Sequence, residues 1–328
     1  MIIARAPLRV TFGSGVVDVL ARAGGPPAAV ISAAVDIHVY ATAHLRRDSR
    51  VVASYSSLEI VDSTAAVENK LVRAVLEVAG FDHGIELHFV SEIPIGASGM
   101  GGSAAAAAAA LMAVWGLRGW HIEGPQLAER AAKIEIDVLG RKVGKQDHYA
   151  AAVGGLQRIS FDGSAAKSSP LQHSFLAPIE GCCILAPCLD GPRDASELLA
   201  EQVASPVAAE IAARLARIAA DAEAAFQARD VSRLSAAVNS AWDAKRLLSP
   251  AISSPIVDAA VSAIRSLGGA AKLCGAGGGG YVFGILPAGR IGGALKALPG
   301  SFQVDFCPHG AEMVFDSGSR DYREDLLP

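Results

Sequence analysis

The segment at positions 94–103, which reads PIGASGMGGS, has a composition suited to binding a phosphate group. It holds four glycines, two serines and no acidic residue, and it runs directly into the alanine block 104–110. Glycines let backbone N–H groups approach an anion, and a helix start adds unpaired N–H donors and the positive end of the helix dipole. A second glycine cluster, GAGGGG, occupies positions 275–280. The two clusters together predict a site for a phosphorylated ligand.

Charged residues of three further segments complete a set that could transfer a phosphoryl group from a nucleotide. Such a transfer needs a backbone cradle, a metal ion held by oxygen ligands, a carboxylate that orients or deprotonates the acceptor hydroxyl, and a cation that offsets developing charge. The candidates are Arg9 and Asp18 in APLRVTFGSGVVDV, Glu135 in AAKIEIDVLG, and Lys145, Asp147 and His148 in GKQDHYAAAVGG. Each has an ordinary alternative when taken singly, such as a carboxylate paired on a helix surface.

Apolar patterning predicts the elements that must position these residues in the first half of the chain. Alternating and β-branched runs indicate strands, and apolar residues three and four apart indicate helices. The predicted strands are 2–12, 29–45, 51–55, 58–61 and 85–93, and the predicted helices are 68–79, the segment from the glycine loop to about 116, and 125–139. A strand is therefore expected to deliver the chain to the glycine loop, and a helix to leave it.

We predict a domain boundary near the polar segment 160–173 or slightly after it, dividing the chain into 1–175 and 176–328. Beyond it we predict strands at 182–186, 281–286, 302–308 and 311–315, and helices at 195–204, 207–228, 231–248, 256–267 and 291–298. Because strands and helices do not alternate strictly, a doubly wound parallel sheet is disfavoured and two adjoining α+β domains are expected. The chain lacks the Gly-x4-Gly-Lys-Ser/Thr pattern, and neither glycine cluster has the context of a dinucleotide-binding loop.

Composition narrows the classes of partner. A net charge of −4, from 29 basic and 33 acidic residues, is too balanced for a nucleic-acid-binding protein. The five cysteines and the absence of a signal-peptide pattern indicate reduced thiols in the cytoplasm. Cys182, Cys183 and Cys188 lie in an apolar run and are predicted to be buried strand residues rather than metal ligands. The longest apolar stretch is shorter than the roughly 20 residues that span a bilayer, so a soluble protein with no membrane partner is expected.

Three motifs in this order resemble those of the GHMP small-molecule kinases. APLRVTF with the following Gly-x-Gly and Asp resembles the family's first motif, GMGGSAA resembles its phosphate loop GLGSSAA, and KLCGAGGGG resembles its third motif. Within the group, IEIDVLGRKVGKQD and AWDAKRLLSPAIS are most similar to the D-glycero-D-manno-heptose 7-phosphate kinase branch. The resemblance covers nearly the whole chain.

The resemblance implies a two-domain α+β fold with the nucleotide and the substrate in the cleft between the domains. It also implies ATP and Mg²⁺ as cofactors and a sugar or sugar phosphate as the small-molecule substrate, with a homodimer left open. Asp147, Arg9 and Lys145 would be catalytic, and Ser103 and Glu135 would ligate the metal. The nucleotide would contact Pro94, Gly96, Ser98, Gly99, Met100, Gly101, Gly102 and Ser103. The substrate would contact Gly15, Asp18, His148, Lys245, Arg246, Gly277, Gly278 and Gly279.

Departures from the family pattern concern the substrate more than the reaction type. Gly102 replaces the first of the family's paired serines, and the loop is one residue longer than usual. Val17 replaces a hydroxyl-bearing residue, and His148 replaces a glutamine.

The expected reaction is phosphorylation of the anomeric hydroxyl of the heptose 7-phosphate to give the 1,7-bisphosphate. The alternatives are another sugar such as fucose or galactose, an isoprenoid precursor, or a non-catalytic ligand-binding paralogue. Arg141, Lys142 and Arg193 are further candidates for contact with a substrate phosphate.

Overall fold

Twelve strands and ten α-helices form the part of the chain that the structure, a computed structural model, describes: residues 1–13, 16–189 and 195–318. The strands are β1 (Ile2–Thr11), β2 (Ala28–Leu45), β3 (Val51–Ser54), β4 (Leu58–Val61), β5 (Ile85–Ser91), β6 (Leu156–Asp162), β7 (Ala165–Pro170), β8 (Cys183–Cys188), β9 (Ala270–Leu273), β10 (Gly280–Ile285), β11 (Phe302–Gln303) and β12 (Glu312–Asp316). The helices are α1 (Val17–Arg22), α2 (Lys70–Val78), α3 (Gly102–Leu117), α4 (Gly124–Lys133), α5 (Gln146–Val153), α6 (Ala195–Ala204), α7 (Ala208–Ala228), α8 (Val231–Lys245), α9 (Pro255–Ser266) and α10 (Ile291–Ala297).

The strands build two separate sheets. The larger sheet has eight strands in the order β12-β1-β2-β5-β3-β4, with β6 also paired to β2 and β7 paired to β6. The 18-residue β2 can serve both neighbours because residues 28–33 pair with β6 and residues 39–45 pair with β5. The smaller sheet is antiparallel, in the order β11-β8-β10-β9. The chain therefore leaves the first sheet after β7, builds the second, and returns to the first through β12.

Helix α3 lies against β1 and β2 and is the central buried helix beside the larger sheet. Its residues from Ala104 to Trp115 are all buried, which is typical of a helix that is apolar on every side. The small alanine side chains let the helix backbone approach the sheet closely. At Gly116 a Cβ atom would lie only 2.8 Å from Cε of Met313 on β12. Because these alanine and glycine residues let α3 pack closely on the sheet, they also set the position of the glycine loop that precedes the helix.

An aromatic cluster joins the two halves. Phe12, which directly follows β1, packs edge-on against Phe226 of α7 and Phe283 of β10, with ring centroids 4.8 and 5.6 Å apart. All three side chains are fully buried. Burial of large aromatic side chains is a major stabilising term, and edge-to-face contacts add to it. The end of β1 is consequently held against the second sheet, beside the position of Arg9.

The predicted α+β fold class is confirmed, and most predicted elements are present. Most of the polar segment 160–173 forms part of the hairpin β6–β7, whose strands were not predicted. The helix predicted over 125–139 ends as α4 at Lys133 and continues as a π-helical turn, Ile134–Val138. Helices α1 and α5 and strand β9 were not predicted. No helix in the described ranges is both long and apolar enough to cross a membrane.

Candidate active site

A cleft of about 760 Å³ lies where the two glycine clusters meet. Its walls are built by the loop 95–102, the first residues of α3, the segment 135–148 and the start of the second glycine cluster. Arg9, Asp18, Ser103, Glu135 and Asp147, which sequence analysis assigned to one site, all line this cleft. Long-range folding thus brings together residues that are up to 138 positions apart.

The two glycine clusters touch through their backbones. Gly99 has φ of +70°, and a Cβ atom there would lie 2.7 Å from the carbonyl oxygen of Cys274. A Cβ atom at Gly275, where φ is +72°, would lie 2.6 Å from Cα of Gly99. The N–H of Tyr281 also donates to the carbonyl oxygen of Ser98 at 3.1 Å. Only glycine combines this left-handed backbone with such close approach, so the sequence of both clusters is dictated by their contact.

The start of α3 forms one wall of the cleft and is open to an anion. The residue before the helix, Gly101, has φ of +78° and provides no side-chain cap. Gly102, Ser103 and Ala104 all line the cleft. The first N–H groups of an α-helix lack partners within the helix, and they carry partial positive charge. This geometry suits a phosphate group.

Arg9 holds Asp147 at the cleft. Its Nε and Nη2 atoms lie 2.8 and 2.7 Å from Oδ1 of Asp147, and its Nη1 donates to the carbonyl oxygen of Gly99 at 2.7 Å. The Arg9 side chain is 5% exposed, whereas that of Asp147 is 29% exposed. Within the described part of the chain, Oδ2 of Asp147 receives no hydrogen bond. One carboxylate oxygen is therefore fixed, and the other remains available to a ligand.

Glu135 lies on the π-helical turn and is contacted by three side chains. Its Oε1 contacts the Ser103 hydroxyl and Nη1 of Arg141, and its Oε2 lies 2.8 Å from Nε2 of His148. Burial would raise the pKa of Glu135, but the contacts with His148, Ser103 and Arg141 outweigh it and lower that pKa to about 2. An ionised carboxylate beside a hydroxyl is an oxygen donor set that suits Mg²⁺.

Asp18 is a second buried carboxylate that lines the cleft. Its Oδ2 accepts from the N–H of Gln146 at 3.0 Å, and its Oδ1 accepts from Nε2 of Gln146 at 3.0 Å and from the N–H of Val19 at 2.9 Å. Burial is the main cause that raises the pKa of Asp18 to about 6, and the negative charge of Asp147 adds to it.

Several predicted contact residues lie outside the cleft or face other partners. Lys145 pairs with Glu129 at 2.7 Å rather than with Asp147. Lys245 is buried and donates to the carbonyl oxygen of Gly275, and Arg246 pairs with Asp258 of α9. Gly277, Gly278 and Gly279 line a smaller neighbouring cavity of about 60 Å³.

Of the predicted nucleotide contacts, Gly96, Gly99, Gly101 and Gly102 line the cleft, whereas Pro94, Ser98 and Met100 do not. Gly15 and Arg193 lie outside the described residues.

Two residues acquire a place in the site that sequence analysis did not give them, and Arg141, a candidate for contact with a substrate phosphate, lies beside the predicted metal ligands instead. Gln146 holds Asp18 through both its backbone and its side chain. At Gly144 a Cβ atom would lie 1.8 Å from Oδ2 of Asp18, so a larger residue would collide with that carboxylate. Arg141 contacts both Ser103 and Glu135. Gln146 and Gly144 belong to the same GKQD motif as Asp147. Their closeness to Asp147 in the sequence is the signal that could have identified them as site residues.

Comparison with known proteins places this geometry in a family. The model of the GHMP kinases N terminal domain matches residues 66–155, and that of the GHMP kinases C terminal domain matches residues 222–302. The chain is 23% identical over 317 residues to a D-glycero-alpha-D-manno-heptose 7-phosphate kinase of Campylobacter jejuni, covering 90% of this chain and 92% of that protein.

Solved structures share the fold. A structure described as a D-glycero-D-manno-heptose 1-phosphate kinase from Bacteroides thetaiotaomicron matches with a TM-score of 0.77 at 19% identity, covering 96% of this chain and 99% of that one. Phosphomevalonate kinase of Streptococcus pneumoniae matches with a TM-score of 0.78 at 15% identity, covering 92% and 100%. Since the two family models together match more than half of the chain, it belongs to the GHMP kinase family.

Proposed function

We propose that this chain transfers the γ-phosphate of ATP to a sugar hydroxyl, namely the anomeric hydroxyl of D-glycero-D-manno-heptose 7-phosphate, to give the 1,7-bisphosphate. The observation that carries the proposal is the Arg9–Asp147 pair, which faces the same cleft as the open start of α3. A cleft that joins an anion-binding helix start to an available carboxylate oxygen is what phosphoryl transfer to an alcohol requires.

Ser103 and Glu135 would hold the magnesium ion. Their oxygen atoms are in direct contact, both residues line the cleft, and Glu135 is ionised across the physiological pH range because its pKa is lowered to about 2. A bound Mg²⁺ supplies charge neutralisation for the phosphates. His148 supports this arrangement, since its Nε2 engages the second oxygen of Glu135 and orients the carboxylate.

The chain's own residues then perform the transfer. The acceptor oxygen forms a bond to the γ-phosphorus while the bond from that phosphorus to the β–γ bridging oxygen of ATP breaks, and ADP leaves. The hydroxyl proton passes to Oδ2 of Asp147, the oxygen that Arg9 leaves available. An anomeric hydroxyl is more acidic than an ordinary alcohol, so a carboxylate suffices as base. Through Nη1, Arg9 also ties Asp147 to Gly99 of the phosphate loop.

Two observations support a sugar as the acceptor. Asp18 places a second carboxylate on the wall of the cleft that Asp147 also lines, and carboxylates accept hydrogen bonds from hydroxyl groups. The heptose 7-phosphate kinase of Campylobacter jejuni matches this chain over most of both lengths. The non-catalytic alternative is less well supported, because a ligand-binding paralogue has no need for the Arg9–Asp147 pair and the Ser103–Glu135 contact in one cleft.

The test is a coupled assay of ADP release over a panel of acceptors with ATP and Mg²⁺. The panel contains heptose 7-phosphate, the same heptose without its phosphate, galactose, fucose and mevalonate. The proposal expects heptose 7-phosphate to have the highest kcat/KM, by at least about 100-fold over the others. Stronger stimulation by galactose, fucose or mevalonate would reassign the substrate. ATP binding without stimulation by any acceptor would favour the non-catalytic alternative.

A further inference from the structure

We infer that Arg141 is an exchangeable internal cation: it occupies the metal position between Ser103 and Glu135 until a divalent metal displaces it, and it then binds a phosphate of the substrates. This inference rests on the proposed function, because it concerns the same metal position. It assigns Arg141 as a positioning residue that contacts Ser103 and Glu135 before the metal binds and contacts a substrate phosphate afterwards.

The contacts of Arg141 duplicate those expected of the metal. Its Nη1 donates to Oγ of Ser103 at 2.7 Å and also contacts Oε1 of Glu135. These two oxygens are the pair assigned to Mg²⁺. A metal ion bonded to both oxygens and a guanidinium nitrogen bonded to both cannot share that position, since like charges at such separations repel strongly. Binding of the metal therefore requires departure of the guanidinium.

The surroundings leave Arg141 free to make this exchange. Its side chain is 39% exposed, whereas that of Glu135 is 4% exposed, so the arginine reaches the acid from the open side of the cleft. The N–H of Arg141 donates to the carbonyl oxygen of Glu135 at 3.0 Å. This backbone bond anchors residue 141 whether or not its side chain remains on Glu135. A displaced guanidinium would stay at the rim of a cleft built for phosphates, which arginine binds well.

The groups around Glu135 favour this order of events. The Glu135 carboxylate is buried, and a negative charge in such a position is costly without a compensating cation. Arg141 compensates it in the metal-free enzyme. The buried His148 remains on the opposite oxygen, Oε2, and so does not need to move. Because metal and arginine compete for one carboxylate, each must weaken the other's binding by the same factor.

The experiment measures Mn²⁺ binding to the nucleotide-free protein by the loss of the free-ion electron paramagnetic resonance signal. Arg141→Ala should bind Mn²⁺ about tenfold more tightly than the wild type, because the competing cation is gone. Arg130→Ala is the matched control: Arg130 is exposed on α4, and its removal changes net charge equally. It should leave Mn²⁺ affinity unchanged. Weaker or equal Mn²⁺ binding by Arg141→Ala would overturn the inference, because a merely structural arginine would loosen the site when removed.

Two further arms identify the phosphate and separate this inference from the proposed function. Arg141→Ala should weaken binding of the ATP analogue AMPPNP with Mn²⁺ if the nucleotide is the second partner, or raise KM for heptose 7-phosphate if the acceptor is. If neither changes, the exchange is refuted even where Mn²⁺ binds more tightly. Glu135→Gln should abolish Mn²⁺ binding, so that the free-ion signal persists, both in the wild type and in Arg141→Ala. Retained Mn²⁺ binding there would refute the assigned metal site, which is a failure of the proposed function.

Discussion

A single guanidinium joins the carboxylate of Asp147 to the glycine loop: Arg9 donates to Oδ1 of Asp147 through Nε at 2.8 Å and to the carbonyl oxygen of Gly99 through Nη1 at 2.7 Å. The Arg9 N–H also donates to the carbonyl oxygen of Met100 at 3.1 Å. Strand β1, the glycine loop and α5 are consequently held in one arrangement before any ligand binds. Such preorganisation lowers the entropic cost of aligning an acceptor with a phosphate.

Replacing Asp147 by Asn should reduce kcat by about 100- to 10,000-fold, the range expected when a positioned general base is lost. The amide keeps an oxygen for Arg9 but cannot accept the hydroxyl proton. ATP affinity should stay within about threefold, because the α3 start and the glycine loop are untouched. Steady-state kinetics and calorimetric titration with AMPPNP measure the two effects. Asp162→Asn, at an exposed strand end, is the control. Near-normal turnover of Asp147→Asn would reject the role assigned to this residue.

Gly144→Ala should raise KM for the acceptor by at least about tenfold while leaving nucleotide binding close to normal. The added Cβ atom would lie 1.8 Å from Oδ2 of Asp18, so the carboxylate must move away from its bond with the Gln146 N–H. Gly292→Ala is the matched control, because a Cβ atom there meets no atom within 4 Å. Unchanged acceptor KM in Gly144→Ala would show that the position of Asp18 does not matter to the acceptor.

The elements around the phosphate loop could be predicted from the sequence because local composition dictates them. The alanine block from Ala104 forces a buried helix, and glycine is required where Gly99 and Gly275 touch. The hairpin β6–β7 was not predicted, because local composition does not indicate it. Strand β7 reads AAKSSP, a mixture of small and polar residues of which none is buried, so it shows no apolar alternation that periodicity could detect.

The composition of the site was predictable, but its pairings were not. Arg9, Asp147 and Glu135 stand in motifs whose residue types indicate their chemistry. Nothing in the sequence tells that Lys145 pairs with Glu129 of α4 rather than with Asp147, because that choice depends on how α4 and α5 pack. The same holds for the π-helical turn at Glu135, whose apolar spacing matches that of an α-helix.

Acceptor binding should weaken as pH falls through about 6. The pKa of Asp18 is raised to about 6 from its ordinary 3.8, chiefly by burial, so the carboxylate that accepts sugar hydroxyls is lost below that pH. The kcat/KM for the acceptor should therefore show an acid limb near pH 6. In Asp147→Asn this limb should move to lower pH, because the charge of Asp147 contributes to the raised pKa. An acid limb that stays in place in that variant would exclude Asp18 as its origin.

The same shift makes a prediction about stability. Between about pH 4 and pH 6 the folded protein holds a proton on Asp18 that the unfolded chain has released, so stability falls as pH rises through that window. Above pH 6 the full cost of the buried charge remains. Asp18→Asn should therefore remove this decline, which amounts to about 2 kcal/mol between pH 4 and pH 6. Urea titrations at pH 4 and pH 6 measure the difference, and comparing the two pH values within each protein cancels the pH-independent cost of leaving an N–H group without its acceptor oxygen. A decline in Asp18→Asn as steep as in the wild type would contradict this prediction.

We expect the free energy of unfolding to rise with pH in mildly alkaline solution because of Lys245. Burial, together with the positive charges of Lys272 and Arg9, lowers the pKa of Lys245 to about 7 from 10.5, while Cys274 and Asp147 oppose the shift. Between about pH 7 and 10 the unfolded chain therefore holds a proton that the folded protein has released. Stability rises with pH wherever the unfolded state binds more protons.

Lys245→Met should remove a large part of this rise, on the order of 2 kcal/mol between pH 7 and pH 9.5. Lys272, whose pKa is lowered to about 8 mainly by burial, should account for the rise that remains. Comparing slopes rather than absolute stabilities cancels the cost of leaving the Gly275 carbonyl oxygen without its donor, since that cost does not depend on pH. Lys296→Met, at an exposed position of α10, should keep the wild-type slope. An unchanged slope in Lys245→Met would mean that the lysine stays protonated when buried.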